Sequence, residues 1–169
     1  GQLSLRKGIR HVLDALTLLG DVSIEFHFYG QRMAEVEDDL RAYQGASGLH
    51  FHGPLAQEKL AEAFRHADLL VLPSLEEGYG LVVNQALACG LPCLVSDRVG
   101  AKDAIVENEN GMGVAVGDAP AWAEAINSAR AQSWSGNEIS LSAPSWSRAA
   151  EILVDHSEAA AGSERTSSN

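Results

Sequence analysis

Apolar residues recur along this chain with two periods, and their alternation predicts the architecture. Within 7–19, Ile9, Val12, Leu13, Leu16 and Leu19 share one helical stripe, closed by Gly20 and Asp21. Ile24, Phe26 and Phe28 alternate with polar neighbours, which predicts a strand over 22–29 ended by Gly30. A helix over 33–43, a short strand at 49–51 and a helix over 57–66 follow. The run from Asp68 to Leu72 is short and apolar, the pattern of a strand covered on both faces, and Pro73-Ser74 ends it. A helix over 81–89 stops at Gly90, and a second apolar strand occupies 91–95. The remaining pattern predicts a short helix near 101–106, a strand at 114–116 and an amphipathic helix over 119–131. Ser, Asn and Gly dominate 133–142, which reads as a loop before a last helix over 146–156.

Strands alternating with helices, several of them short and wholly apolar, predict an α/β fold with a parallel sheet and helices on both faces. No internal repeat interrupts it. Residues 1–158 form one domain in this reading, and the small polar stretch 159–169 is a disordered tail. The helix at 7–19 should follow a strand, yet only Gly1, Gln2 and Leu3 precede the loop. The first strand is therefore expected to be truncated.

Composition narrows the partners. A formal charge of −11 lacks the basic footprint of a nucleic-acid binder and argues against broad adhesion to anionic lipid. Any anionic ligand must be held by local cations and backbone dipoles. Cys89 and Cys93 read as free thiols, one on a buried helix and one on a core strand. No apolar run approaches the roughly 20 residues that span a bilayer, and the N-terminus has no signal-peptide pattern.

Open parallel sheets bind ligands beyond the carboxyl ends of their strands, here residues 1–8, 30–32 and 73–81. Arg6 and Lys7 stand at the start of a helix, where cations oppose the dipole. A bound phosphate there would reverse that balance; two solvated surface charges are the plain alternative. In EEGYGLVVNQAL, Gly78 and Gly80 let backbone N–H groups approach a ligand at a helix start, and Glu77 can accept from sugar hydroxyls. Gln85 lies eight residues on, about 12 Å along a helix. A nucleoside diphosphate sugar has the matching layout, although Gly-x-Gly alone is a weak signal.

The blocks GQLSLRKGI, FHFYG, FHGPLAQEKLAEAFRHADLLVLPS, EEGYGLVVNQALACGLPCLVSD and ENENGMGVAV, in this order, resemble the C-terminal domain of the group 1 retaining glycosyltransferases. The resemblance spans roughly 1–156 and implies a Rossmann-like three-layer domain, one half of a GT-B fold. It implies transfer of a sugar from a nucleotide sugar with retention of configuration and with no cofactor or metal. Lys7 and Glu77 match the catalytic positions: Lys7 the lysine on the donor diphosphate, Glu77 the acid that holds the sugar hydroxyls. Gly78, Tyr79, Gly80 and Leu81 match the segment whose backbone meets sugar and phosphate, and the turn at Gly53–Leu55 matches the region near the base. Two positions depart from the pattern. Gln85 stands where the family has its ribose-gripping glutamate, and Gln2 stands where an arginine often precedes the lysine; Arg6 is placed to replace that lost charge. The resemblance also implies an acceptor-binding N-terminal domain outside this chain, any membrane association made through that domain, a cytoplasmic location and a role in polysaccharide synthesis. Without that domain the chain is expected to bind donor weakly and transfer nothing.

Other residues carry less. His50 and His52 share one face of a short strand, but no third ligand is evident at a sensible spacing, so no metal site is expected. Glu35, Glu37, Asp38 and Asp39 read as a solvated helix face. Trp122 and Trp146 are expected to anchor helices. Asp97, Arg98 and Lys102 follow a strand end and are placed to approach the ligand or the other domain. Two alternatives stand beside transfer: an epimerase of the same two-domain fold, and a non-catalytic module in which Gln2 and Gln85 mark a degenerate site. A receiver-type signalling domain fits poorly, because it needs an acidic cluster at the first strand.

Overall fold

Strands and helices alternate as the two apolar periods predict. The computed structural model describes residues 2–20, 23–43 and 46–143. In chain order the elements are β1 (Gln2–Leu3), α1 (Ile9–Leu19), β2 (Phe26–Tyr29), β3 (Gln31–Arg32), α2 (Glu37–Ala42), β4 (Leu49–Gly53), α3 (Gln57–Arg65), β5 (Leu70–Leu72), α4 (Leu81–Ala88), β6 (Cys93–Ser96), β7 (Gly111–Val114), α5 (Ala119–Ala131) and α6 (Gly136–Ser142). Among the described residues every ladder is parallel: β1 with β3, β2 with β4, and β5, β6 and β7 in that order.

The apolar run of β6 explains the layering. Cys93 and Val95 point into one core with Val83, Ala86 and Leu87 of α4, Phe64 of α3 and Ile139 of α6. Leu94 points the opposite way, into a core with Ala15 of α1 and Trp122, Ala123 and Ile126 of α5. On β5, Leu70 and Leu72 join the first core and Val71 the second. Successive strand side chains alternate faces, so a strand apolar at every position needs helices on both sides. A third core holds Leu3, Ile9, Leu13, Val36 and Leu40 beneath α1 and α2. The α/β fold with parallel strands between helical layers is the one the pattern predicts.

Helix ends follow the residues that permit them. Gly20 closes α1 at φ 59°, its N–H donating to the carbonyl of Leu16. Asp118 caps α5, its Oδ1 accepting from the N–H of Ala121 at 2.9 Å. This helix carries the fully buried Trp122, so the cap stabilises one core layer. Asp118→Ala is expected to lower unfolding stability by about 1 kcal/mol. Thermal unfolding checks it, and an unchanged midpoint would show that the helix does not depend on the cap.

Two predicted elements are corrected. The strand expected at 114–116 is Gly111–Val114. The glycines resemble a turn in sequence, but a Cβ at Gly111 would lie 2.1 Å from the carbonyl oxygen of Cys93, so glycine there permits close strand approach. The stretch read as a loop over 133–142 contains α6. Ser135 accepts from the N–H of Glu138, and Ile139 is buried against α4. Ser135-Gly136-Asn137-Glu138 has the capping-box spacing, a helix signal hidden by its small polar residues. Trp134 also anchors the fold: it packs against both main cores, and its Nε1–H donates to the carbonyl of Ala129 at 2.9 Å. The smaller differences are of length, with β2 four residues long and the helix near 101 a 3-10 turn over Gly100–Ala104. Trp146, the helix over 146–156 and the tail over 159–169 lie outside the described residues.

Cys89 and Cys93 are free thiols as expected. Burial pushes the Cys93 thiol far above its ordinary value, so it stays protonated and inert. No helix among the described residues is long and apolar enough to cross a membrane.

Candidate functional site

The loops after β1 and β5 meet, and they meet through backbone. After β1 the chain makes a 3-10 turn over Leu5–Lys7 and then takes Gly8 to φ 66°. A Cβ at Gly8 would lie 1.9 Å from the carbonyl oxygen of Pro73, so only glycine lets the two loops touch. The N–H of Leu75 donates to the carbonyl of Arg6 at 2.8 Å, which laces them together. From the other side Glu35 Oε1 accepts from the N–H of Leu5 at 2.9 Å. Glu35 is thus more than part of a solvated face: it braces the loop that carries Arg6 and Lys7.

This lacing brings Lys7 to Glu77. The ammonium of Lys7 donates to Glu77 Oε2 as an ion pair, with the side chains 34% and 21% exposed. Partial shielding makes such a pair stronger than a fully solvated one, while leaving it open to exchange. Ser74 Oγ also donates to Glu77 Oε2, at 3.4 Å. Ser74 is fully buried, and its carbonyl accepts from Ser96 Oγ. Glu77 therefore sits on a short polar chain rooted at the end of β6. Arg6 lies beside it, with Nε 3.8 Å from Glu76 Oε2 and both side chains largely in solvent.

The segment that follows is held flat against the loop after β6. Glu77 bridges Val99 in parallel, the N–H of Gly100 donates to the carbonyl of Gly78 at 3.1 Å, and that of Ala101 to the carbonyl of Tyr79 at 2.6 Å. Gly80, at φ 78°, is the N-cap of α4, and a Cβ there would lie 2.7 Å from Val99 Cγ1. Gly78 differs: a Cβ there would meet nothing within 4 Å, and its φ needs no glycine. The packing of the chain gives no reason for glycine at 78. The start of α4 has no side-chain cap and no acidic residue in its first turn. Its leading N–H groups keep their partial positive charge for an outside acceptor. Tyr79 and Leu81 flank that end with more than half their surface exposed.

Other predicted residues sit farther out. Gln85 is half-buried, one turn beyond Leu81 on α4, and its side chain makes no hydrogen bond among the described residues. Gln2 lies exposed on β1, paired with Gln31. Gly53 ends β4 at φ 76° and accepts from the N–H of Gly30 at 2.8 Å. Leu55 follows it on the approach to α3. Neither makes a hydrogen bond with the Lys7–Glu77 cluster. Asp97 is taken up by structure, its Oδ1 accepting from the N–H of Val116 at 3.1 Å. Sequence reading missed Ser74, taken only as a strand end, and the strap at Val99–Ala101 beneath the glycine loop.

A concavity of about 600 Å³ opens at the other end of the sheet, near Phe64, Asp68, Pro92 and Trp134. It shares no residue with the Lys7–Glu77 cluster. Ligands of open α/β sheets bind at the carboxyl ends of strands, where the converging polar groups are, so the cluster is the candidate site.

The family described as Glycosyl transferases group 1 matches residues 1–131. The chain is 30% identical over 134 residues to the D-inositol 3-phosphate glycosyltransferase of Arthrobacter sp. (strain FB24), covering 75% of this chain and 32% of that protein. It therefore spans about a third of that relative's length. Among solved structures it is similar to Anabaena Alr3699/HepE in complex with UDP, with a TM-score of 0.71 and 20% identity over 97% of this chain and 47% of that one. Sucrose-phosphate synthase from Thermosynechococcus elongatus is similar at a TM-score of 0.72 and 24% identity, over 96% of this chain and 44% of that one. At these identities the likeness is one of fold, and the fold is the Rossmann-like half of a GT-B glycosyltransferase.

Proposed function

Because this chain belongs to the group 1 glycosyl transferases, we propose that it holds the nucleotide-sugar donor for transfer with retention of configuration. The observation that carries this reading is the Lys7–Glu77 pair set against the uncapped start of α4. A donor diphosphate would lie along that helix start, accepting from the leading amides and from Lys7. Its oxygens compete with Glu77 for the ammonium. The carboxylate so released accepts from the sugar hydroxyls, and Ser74 keeps it in place. Gly78, with open space where a side chain would stand, leaves room for the sugar-phosphate to approach the backbone.

The same groups serve the reaction. As the glycosidic bond breaks, negative charge grows on the leaving diphosphate. Lys7, Arg6 and the amides of 78–81 would meet that charge as donors held in place by the fold, which is how preorganised donors lower a barrier. No metal takes part in this step. The ribose extends toward Gln85, and the base toward Gly53 and Leu55. The structure of Anabaena Alr3699/HepE is a complex with UDP, which makes UDP the first donor fragment to test. The acceptor comes from a further domain that this chain serves, and the setting is cytoplasmic synthesis of a polysaccharide.

Gln85 tunes this reading. Gln85→Glu would give the ribose hydroxyls a charged acceptor, and charged hydrogen bonds exceed neutral ones by about 1 kcal/mol. Affinity for UDP is expected to rise about fivefold by calorimetric titration. Unchanged affinity would remove Gln85 from the ribose site. If the unaltered chain bound neither UDP nor its sugars, the degenerate-module reading would replace donor binding.

A further inference from the structure

The face of β2 and β4 turned away from the core carries polar rings where an amphipathic strand pair would carry scattered charges. Phe26 and Phe28 point inward, and Phe28 stacks on Phe51 of β4. The alternate positions therefore share the outer face: Glu25, His27 and Tyr29 on one side, His50 and His52 on the other. Parallel register places His27 opposite His50. Their rings stack at 4.7 Å, and those of His27 and His52 at 5.1 Å. Across the ladder Glu25 and His27 stand beside His50, a juxtaposition that local spacing in sequence does not reveal.

The nitrogens are already arranged. His27 Nδ1 is 2.8 Å from His52 Nε2, while His27 Nε2 faces Glu25 Oε2 at 3.7 Å. One ligand atom each from Glu25, His27 and His50 lies within 4.8 Å of the others. His50 Nε2 is covered and has no hydrogen-bond partner among the described residues. An imidazole nitrogen in that state is an acceptor or donor left unused, which folded proteins rarely tolerate.

We propose that Glu25, His27 and His50 bind one divalent transition-metal ion of the zinc class, with His52 fixing the orientation of the His27 ring. Imidazole and carboxylate suit such ions, and three protein ligands leave a fourth position open. Ligands about 2.1 Å from a tetrahedral ion lie about 3.4 Å apart, so the three side chains close inward by modest rotations. His52 acts on His27 Nδ1 as the outer partner that metal-binding histidines usually have. The ion would tie β4 to β2 on the outer face, apart from the loops that carry Lys7 and Glu77.

Titration of the whole chain with zinc chloride at pH 7.5 tests this. One zinc per chain is expected, with visible absorption of a four-coordinate ion when cobalt replaces zinc. His27→Ala and His50→Ala should each weaken binding about 100-fold, and His52→Ala about 10-fold. His66→Ala, on α3's carboxyl end, should leave it unchanged. Unfolding midpoints without metal, together with His27→Gln and His50→Gln, separate lost ligation from lost folding. A chain that binds no zinc saturably, or folded His27 and His50 variants that bind as before, would overturn the proposal.

Discussion

Lys7→Ala is expected to cut the affinity of the chain for UDP by about 10- to 100-fold, the range for losing one charged hydrogen-bonding partner. In the ligand-free chain Lys7 is already committed to Glu77. Removing it therefore has two effects. Glu77 loses its partner, but it is partly exposed and solvates readily, so stability should fall by about 1 kcal/mol or less. A diphosphate loses more, because it meets an unneutralised Glu77 where it would have met an ammonium. Thermal unfolding reads the first effect and calorimetry with UDP the second. Affinity within twofold of the unaltered chain would place the diphosphate elsewhere.

Gly8→Ala is expected to lower unfolding stability by about 3–5 kcal/mol, the range reached when strain at a special backbone conformation adds to overlap. Gly8 has φ 66°, which a side chain disfavours by about 1–2 kcal/mol on its own. The added Cβ would also press on the backbone oxygen of Pro73, which no rotamer change can move aside. Relief requires the loop after β1 to leave the loop after β5, and Lys7 would leave Glu77 with it. UDP binding should therefore fall together with stability. Urea unfolding measures the loss of stability, and an unchanged midpoint would show that the loops do not rely on this contact.

How much of this was legible in sequence depended on whether the deciding contact was local. The stripe of α1 and the apolar runs of β5 and β6 follow from near neighbours, so the pattern of apolar positions reads them. The glycines of β7 mislead because their reason is the carbonyl of Cys93 on the next strand. The start of α6 hides among small polar residues because Ile139 alone marks its buried face, against α4. In the site, Arg6, Lys7 and the glycine loop were legible as an anion cradle, and resemblance supplied their roles. The support was not: Ser96 reaches Ser74 across two strands, and Glu35 reaches Leu5 from another loop. The histidine cluster is the clearest case, since it exists only through the register of β2 on β4.

The central claim is that a pyrophosphate-linked donor lies against the start of α4 with Lys7 facing it. Crystals of the chain soaked with UDP address this most directly. The account predicts phosphate density within hydrogen-bonding distance of the Lys7 ammonium and of the 78–81 amides, with Lys7 drawn off Glu77. UDP bound at another surface, while Lys7 stays on Glu77 beside a groove without ligand, would contradict it.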